Sequence, residues 1–189
     1  MKPIYCALVH HPVIDRIGEE VTTAVTNIDV HDLARSARTY DLAGYFVVTP
    51  ISVQRDLTQR IVDHWTGVHG PVRIPARTTA LERVRPIESL EAAMKAVEQE
   101  TGSRPRVVAT AARSSGFALS TFADERARLE SGEGPTLLIF GTGHGLSPSV
   151  LEAADVLLEP IHGRGDSPFN HLSVRAAFAI ILDRLLGAR

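Results

Sequence analysis

The chain has 189 residues, a length that suits one sizeable α/β domain and is short for two. Its 44% hydrophobic and 22% charged residues are typical of a globular protein, and no apolar run approaches the roughly 20 residues of a membrane-spanning helix. The net charge of −2 gives no general basic signal for nucleic acid, so such a partner would need a local basic patch. The single cysteine, Cys6, excludes an intrachain disulfide, and the N-terminus lacks a signal-peptide pattern, so we expect a cytoplasmic protein.

Strands and helices alternate along the chain. Short apolar runs closed by Pro or Gly predict strands, and apolar residues three and four apart predict helices. The pattern predicts strands over residues 4–9, 45–49, 72–74, 106–110, 137–140 and 156–158, and helices over residues 29–40, 52–65, 89–101, 120–130, from 148, and from about 170 to 186. Near-continuous apolar strands separated by helices predict an α/β fold with a mostly parallel sheet and helices on both faces.

Local patterns refine these helices. Asn27 or Asp29 is the expected cap of the first helix, and Asn170 or Ser173 that of the last. In the second helix an apolar face is expected from the helical spacing of Val53, Leu57, Ile61 and Trp65. Residues 15–26 are predicted to form a loop. Residues 67–86 are predicted to be irregular apart from the short strand over residues 72–74.

The expected functional site lies where the strands end. In a parallel sheet the loops that follow the strands meet at one edge, and ligands bind there. Three such loops, after Thr110, Phe140 and Glu159, are rich in small and polar residues. The loop 141–145, Gly-Thr-Gly-His-Gly, differs in spacing and in its late position from the dinucleotide fingerprint Gly-x-Gly-x-x-Gly.

Three stretches resemble a known class. Residues 140–147, FGTGHGLS, resemble the second signature of the SPOUT class of RNA methyltransferases, and residues 168–182, PFNHLSVRAAFAIIL, resemble the third. Residues 27–40 resemble the Asn-x-Gly-x-x-x-Arg signature of the ribose-methylating branch, with Asp29 and His31 in place of its Asn and Gly. The second signature is one residue shorter than usual and lacks its glutamate. The chain looks closest to a small bacterial group of S-adenosylmethionine-dependent RNA methyltransferases.

The resemblance implies a single SPOUT-like domain over residues 1–189, a C-terminal trefoil knot and a homodimer. It also implies S-adenosylmethionine as the cofactor and tRNA or rRNA as the partner. An adenine pocket needs backbone groups and apolar walls, so the residues implied to bind the cofactor are mostly small or apolar. They are Thr110, Ala111, Phe140, Gly141, Thr142, Gly143, His144, Ile161, Gly163, Asn170, His171, Leu172 and Ser173.

The implied catalytic residues are Arg35 and Asp166. Arg35 matches the arginine that helps to activate a ribose hydroxyl, and in a homodimer it would come from the partner chain. Asp166 is the candidate base for a ring-nitrogen acceptor, although Gly-Asp-Ser-Pro is also a turn sequence. The candidate RNA-binding residues are Arg35, Arg38, Arg73 and Arg77. Arg83 and Arg85 extend the cluster of Arg73 and Arg77, and Arg35 and Arg38 form a second cluster.

The same residues leave other functions open. A non-catalytic module that binds ATP or NAD as a regulator is the main alternative, and a dinucleotide-dependent redox enzyme ranks below both. The spacing of the eight histidines and of Cys6 matches no zinc motif, so no metal is expected. A Gly-x-Ser-x-Gly elbow and a P-loop are also missing from the sequence.

Overall fold

The computed structural model describes residues 2–68, 70–113, 116–165 and 169–188. The strands are β1 Ile4–Val9, β2 Val13–Ile14, β3 Glu20–Val21, β4 Gly44–Val48, β5 Val84–Ile87, β6 Arg106–Ala109, β7 Leu119–Ser120, β8 Thr136–Gly141 and β9 Val156–Leu158. The helices are α1 Asn27–Thr39, α2 Ser52–Thr66, α3 Gly70–Arg73, α4 Pro75–Leu81, α5 Leu90–Thr101, α6 Phe122–Ser131, α7 Pro148–Ala153 and α8 Val174–Leu186.

A seven-stranded sheet forms the centre, in the order β5-β4-β1-β8-β6-β9-β7. All its pairings are parallel, which confirms the predicted sheet type. The late strand β8 lies between β1 and β6, so the last third of the chain enters the middle of the sheet. β2 and β3 form a separate antiparallel hairpin. The trefoil knot stays a prediction, because strand order alone does not trace the path of the C-terminal segment.

Helices cover both faces of the sheet. Along β1, Cys6 and Leu8 pack into a core that includes residues of α1 and α8. The alternate residues Ala7 and Val9 pack into a second core that includes residues of α5. This alternation follows from the two-residue repeat of a strand, and it shows that β1 is buried on both sides.

The helix caps follow local sequence. Ser89 accepts a hydrogen bond from the Ala92 amide (3.1 Å), and Gly102 ends α5 in the left-handed region, as predicted. α8 is capped by Ser173, one of its two candidates, whose hydroxyl accepts from the Ala176 amide (3.2 Å). The cap of α1 is Thr26, so the expectation of Asn27 or Asp29 was wrong.

The stretch 67–86 differs most from expectation. The strand predicted over residues 72–74 is wrong, since α3 and α4 occupy this stretch. A strand, β5, follows them instead, and its sequence Val-Arg-Pro-Ile obscured it because Pro86 cannot donate a ladder hydrogen bond. β5 lies at the edge of the sheet, where a missing donor is tolerated.

The face of α2 was also wrongly assigned in part. Val53 and Leu57 are 73% and 49% exposed, whereas Thr58 and Val62 are buried. Thr58 can be buried because its hydroxyl donates to the Gln54 carbonyl within the helix (2.9 Å). An apolar part of the predicted face therefore points to solvent.

A buried polar chain locks the end of β1 to the loop after β8. His10 is fully buried, and its Nδ1 lies 3.0 Å from the Thr23 hydroxyl. The Thr23 hydroxyl lies 2.5 Å from that of Thr142, which also donates to the Val9 carbonyl (3.0 Å). Burial lowers the pKa of His10 to about 4, against the opposing effect of Asp29. His10 is therefore neutral at pH 7.

Replacing His10 with asparagine should flatten the acid dependence of stability. The folded pKa of about 4 lies below the unfolded value of 6.5, so the unfolded state binds more protons between these values and stability falls as pH falls. Between pH 7 and pH 5 the loss from His10 is about 2 kcal/mol. Urea unfolding at both pH values should show this loss in the wild type and not in His10→Asn.

The matched control is His144→Asn, which changes an exposed histidine in the adjoining loop. It should keep the wild-type difference between the two pH values. An equal difference in His10→Asn and the wild type would contradict the assignment of this acid dependence to His10.

Candidate functional site

The loops after β6, β8 and β9 meet at one edge of the sheet. Val9 pairs with Gly141, and Ala109 pairs with both Ile139 and Leu157. These neighbouring strands therefore end at nearly the same level. The predicted convergence of the three loops therefore follows directly from the register.

Asn170 joins two of these loops. Its side-chain amide donates to the carbonyl of Ala112 in the loop after β6 (2.9 Å) and to that of Ile161 in the loop after β9 (3.0 Å). Both amide hydrogens are used, so one side chain fixes two segments that are remote in sequence. Asn170, predicted to contact a ligand or cap α8, acts in this structure as the tie between the loops.

The loop after β8 depends on its glycines. A Cβ at Gly141 would lie 2.6 Å from the backbone nitrogen of Leu146, too close for any side chain. Gly145 has a φ of +119°, which strains residues with a side chain. The turn is held against the β2–β3 hairpin, where the His144 amide donates to the Ile14 carbonyl (3.0 Å) and the Ile14 amide to the Gly145 carbonyl (2.9 Å).

The predicted cofactor-binding residues divide by exposure. Phe140 is fully buried, and its ring lies 4.7 Å from that of Phe178 at an angle of 53°, so its side chain belongs to the core. The Thr110 hydroxyl is also engaged internally, since it donates to the Ile139 carbonyl (3.0 Å). The exposed residues of the set are Gly143, His144, Gly163, His171, Leu172 and Ser173, and the half-buried ones are Thr110, Ala111, Gly141, Thr142, Ile161 and Asn170.

Two apolar side chains are exposed at this edge of the sheet. Leu172 is 45% exposed and Phe169 is 75% exposed, so both present apolar surface beside the Asn170 tie. Apolar walls of this kind are one component of a purine site.

An ion pair that the sequence did not reveal joins the start of α8 to the start of α1. Arg175 donates to the Asp29 carboxylate (2.5 Å), and the Thr26 hydroxyl donates to its other oxygen (2.5 Å). The Asp29 side chain is only 9% exposed, so removing Arg175 would leave a nearly buried charge without its partner. The only sequence signal was an unusual position: an arginine in the first turn of a helix faces the positive end of the dipole.

Arg35 lies on the exposed side of α1. It pairs with Asp32 (3.1 Å), its side chain is 61% exposed, and Asp32 in turn lies 4.0 Å from Arg175. No hydrogen bond or ion pair among the described residues joins Arg35 to the three loops of its own chain. Arg38 pairs with Asp41 (3.1 Å). Asp166, the candidate base, lies outside the described residues.

The arginines of the predicted basic cluster, residues 73–85, differ in whether they have a carboxylate partner. Arg83 pairs with Asp41 (3.4 Å), and Arg85 pairs with Glu100. Arg73 is exposed, and neither it nor Arg77 has a carboxylate partner in the part of the chain that is described. Only the first half of the cluster therefore retains free positive charge.

Metal sites and membrane-spanning helices are both absent from the described part of the chain. No group of three or more His, Cys, Asp or Glu side chains that could hold a metal ion occurs within residues 2–68, 70–113, 116–165 and 169–188. No helix in these same ranges is long and apolar enough to cross a membrane.

Known proteins resemble this chain over nearly its full length. A protein named tRNA (guanine-N(1)-)-methyltransferase from Oleidesulfovibrio alaskensis is 47% identical over 186 residues, which cover 98% of this chain and 42% of that protein. The chain thus spans less than half of that relative. TrmJ from Z. mobilis ZM4 has the same fold, with a TM-score of 0.62 and 16% identity over 100% of this chain and 70% of the other.

The fold also matches a structure that contains a cofactor. The SpoU methyltransferase AviRb from Streptomyces viridochromogenes, solved in complex with AdoMet, gives a TM-score of 0.56 and 18% identity over 98% of this chain and 57% of the other. The family model described as SAM-dependent RNA methyltransferase matches residues 3–187. With its parallel sheet, glycine turn and Asn170 tie, the chain belongs to this family of SAM-dependent RNA methyltransferases.

Proposed function

We propose that the chain transfers a methyl group from S-adenosylmethionine to an RNA. The cofactor supplies a methyl carbon that its sulfonium already activates. The protein has to bind the adenosine, exclude water and hold the acceptor atom in line with the departing sulfur. The family match over residues 3–187 supports both the cofactor and the RNA.

Asn170 carries the proposal for the cofactor site. By holding the loops after β6 and β9 together, it fixes the spacing of the backbone groups that would face an adenine. The glycine turn after β8 would let its backbone lie close to a ligand at the same edge. Exposed Leu172 adds an apolar wall.

The acceptor is proposed only as a class, tRNA or rRNA. The relative named for tRNA guanine-N1 methylation is much longer than this chain, so its name supports an RNA substrate and not a particular nucleotide. Arg35 would act on a ribose hydroxyl, whereas Asp166 would act on a ring nitrogen. Arg38, Arg73 and Arg77 would contact the RNA.

We also propose a homodimer in which Arg35 serves the partner's cofactor loops. Arg35 is exposed on α1, and its ion-pair partner among the described residues is Asp32. α8 buries Phe178 and Leu182 inside the chain. Contact between copies would therefore depend on elements other than the buried face of α8.

Three further proposals concern the domain, the knot and the location in the cell. Residues 1–189 are proposed to form a single domain, since the first strand and the late strand β8 pair in one sheet. The C-terminal segment is proposed to be knotted, and an RNA substrate favours the cytoplasm.

Binding of the cofactor should depend on Asn170. Calorimetry with S-adenosylmethionine and S-adenosylhomocysteine should give micromolar binding to the wild type, and Asn170→Ala should weaken it about tenfold or more because two loops lose their shared donor. Gln59→Ala, which removes an exposed amide bonded to Asp63 on α2, is the control and should bind normally. Binding of ATP or NAD alone would instead favour a regulatory nucleotide-binding module.

A methyl group added at Gly141 should damage the same site. Gly141→Ala places a carbon 2.6 Å from the Leu146 nitrogen, so the turn must shift and both stability and cofactor affinity should fall. Gly134→Ala is the control, since nothing lies within 4 Å of its added carbon. Thermal unfolding with and without S-adenosylhomocysteine measures both effects. An unchanged ligand-induced shift in Gly141→Ala would argue against a cofactor at this turn.

The role of Arg35 can be tested by complementation between chains. Arg35→Ala should lower methyl transfer while leaving S-adenosylhomocysteine affinity unchanged, and Arg38→Ala should have a smaller effect. Co-expression of Arg35→Ala with Asn170→Ala should restore part of the activity, because one mixed site would pair an intact arginine with intact loops. No recovery in purified mixed dimers would contradict action across the interface.

A further inference from the structure

A concave site that contains no residue of the three loops lies between α1, α2 and α4. Its volume is about 550 Å³, within the range of pockets that hold small ligands. Trp65 forms its floor, and Ile28 and Ile61 add apolar walls. Trp65 is the only tryptophan in the chain.

Cationic and aromatic groups surround the indole ring. The Arg77 guanidinium lies 4.6 Å from the ring centroid, in cation–π contact. The rings of His31 and His64 meet Trp65 edge-on, with centroids 5.8 Å and 5.2 Å away. Arg60 completes the positive side of the lining.

This arrangement is held by the backbone. The Thr78 hydroxyl donates to the Trp65 carbonyl (2.7 Å), so α4 is fixed against the end of α2 and places the adjacent Arg77 beside the ring. Gly70 packs on the same carbonyl, where an added Cβ would lie 1.7 Å from the oxygen. The helices that carry Trp65 and Arg77 are therefore held at a fixed separation.

The positive charge of the pocket is not neutralised. No carboxylate within 4 Å pairs with Arg60 or Arg77 among the described residues, whereas Arg83 and Arg85 nearby are both paired. The lining itself contains no acidic side chain over the ranges described. In a protein whose net charge is −2, an uncompensated pair of arginines around an aromatic ring marks a site for a planar, anionic ligand.

The Nδ1 atom of His31 is buried and lacks a hydrogen-bond partner in the described structure. Burial, together with Arg77 and Arg35, lowers the pKa of His31, against the effect of Asp32. A neutral imidazole can both donate and accept a hydrogen bond. His31 therefore adds a neutral ring, and no further positive charge, to the lining of the pocket at pH 7.

We propose that this pocket binds an unpaired nucleotide of the RNA substrate, with the base stacked at Trp65 and Arg77 and a neighbouring phosphate held by Arg60. Aromatic rings and guanidinium planes are the groups on which splayed-out RNA bases stack. Two facing copies of this surface would place like charges together, so a polyanion suits the pocket better than a second copy of the chain. The inference rests on the proposed RNA methyltransferase function and assigns part of its RNA contact.

The pocket also adjoins the proposed catalytic arginine. His31 and Arg35 are four residues apart on α1, so their side chains lie on the same face one turn apart. A nucleotide bound at Trp65 would therefore bring the following part of the strand past Arg35. This relation gives the pocket a positioning role in presenting RNA.

The sole tryptophan reports directly on occupancy. Titration with a short single-stranded oligoribonucleotide of mixed sequence should quench Trp65 fluorescence in a saturable way. The same sequence as a duplex should quench much less, because its bases are already stacked. No quenching at concentrations at which the labelled oligonucleotide binds would overturn the proposal.

Substitutions separate stacking from charge. By fluorescence anisotropy of a labelled oligonucleotide, Trp65→Leu should weaken binding about tenfold, while Trp65→Phe should retain most of it because a ring remains. Arg60→Ala should lower the slope of log affinity against log salt by about 0.7, as expected for one lost phosphate contact to a single strand. Lys95→Ala, on α5 at the opposite face of the sheet, is the charge control.

Two parallel measurements distinguish a failure of the proposed RNA pocket from a failure of the proposed methyltransferase function. S-adenosylhomocysteine binding by Trp65→Leu should equal that of the wild type, which shows that the fold is intact. Quenching by RNA in a protein that binds no S-adenosylmethionine would uphold the pocket and overturn the methyltransferase function. Equal RNA affinity of Trp65→Leu and wild type, or dissociation of a dimer by Trp65→Leu in light scattering, would overturn the pocket as an RNA site.

Discussion

The insertion of β8 between β1 and β6 is the constraint on which the rest of the molecule depends. The register of β8 with β1 and β6 brings the ends of all three strands to nearly the same level. The glycine turn after β8 is thereby placed beside the loop after β1 and beside the loop after β6. The hydroxyl chain from His10 through Thr23 to Thr142 then holds that turn in position. A late segment of the sequence is built into the centre of the fold.

Helix α1 connects the two proposed binding regions. At its start, Asp29 accepts from Arg175 of α8, which follows directly on the loop that contains Asn170. Two residues further along, His31 lines the Trp65 pocket, and Arg35 lies about one turn beyond His31. Helix α1 thus contacts the start of α8, which follows the proposed cofactor loops, and borders the proposed RNA surface. A rigid helix is suited to keep these two regions at a fixed separation.

Charge pairing gives an acidic protein a local basic surface. Several arginines are neutralised by carboxylates, as Arg83 is by Asp41 and Arg106 is by Glu125. Arg60 and Arg77 have no such partner among the described residues. Exposed ion pairs add little stability, so their main effect here is on where free positive charge remains. The low net charge of the chain therefore says little about its affinity for RNA.

The sequence by itself determined the parallel sheet, the three loops at its edge and the caps of α5 and α8, because these follow from local apolar periodicity and from side chains that bond to nearby amides. It also pointed to the family through the glycine turn and the segment that contains Asn170. Only the tertiary structure decided the edge position of β5, the exposed side of α2 that carries Val53, and the burial of Phe140 against Phe178. The Arg175–Asp29 pair and the pocket at Trp65 likewise join residues from different elements. Such contacts depend on how elements pack in space, and no local spacing in the sequence encodes them.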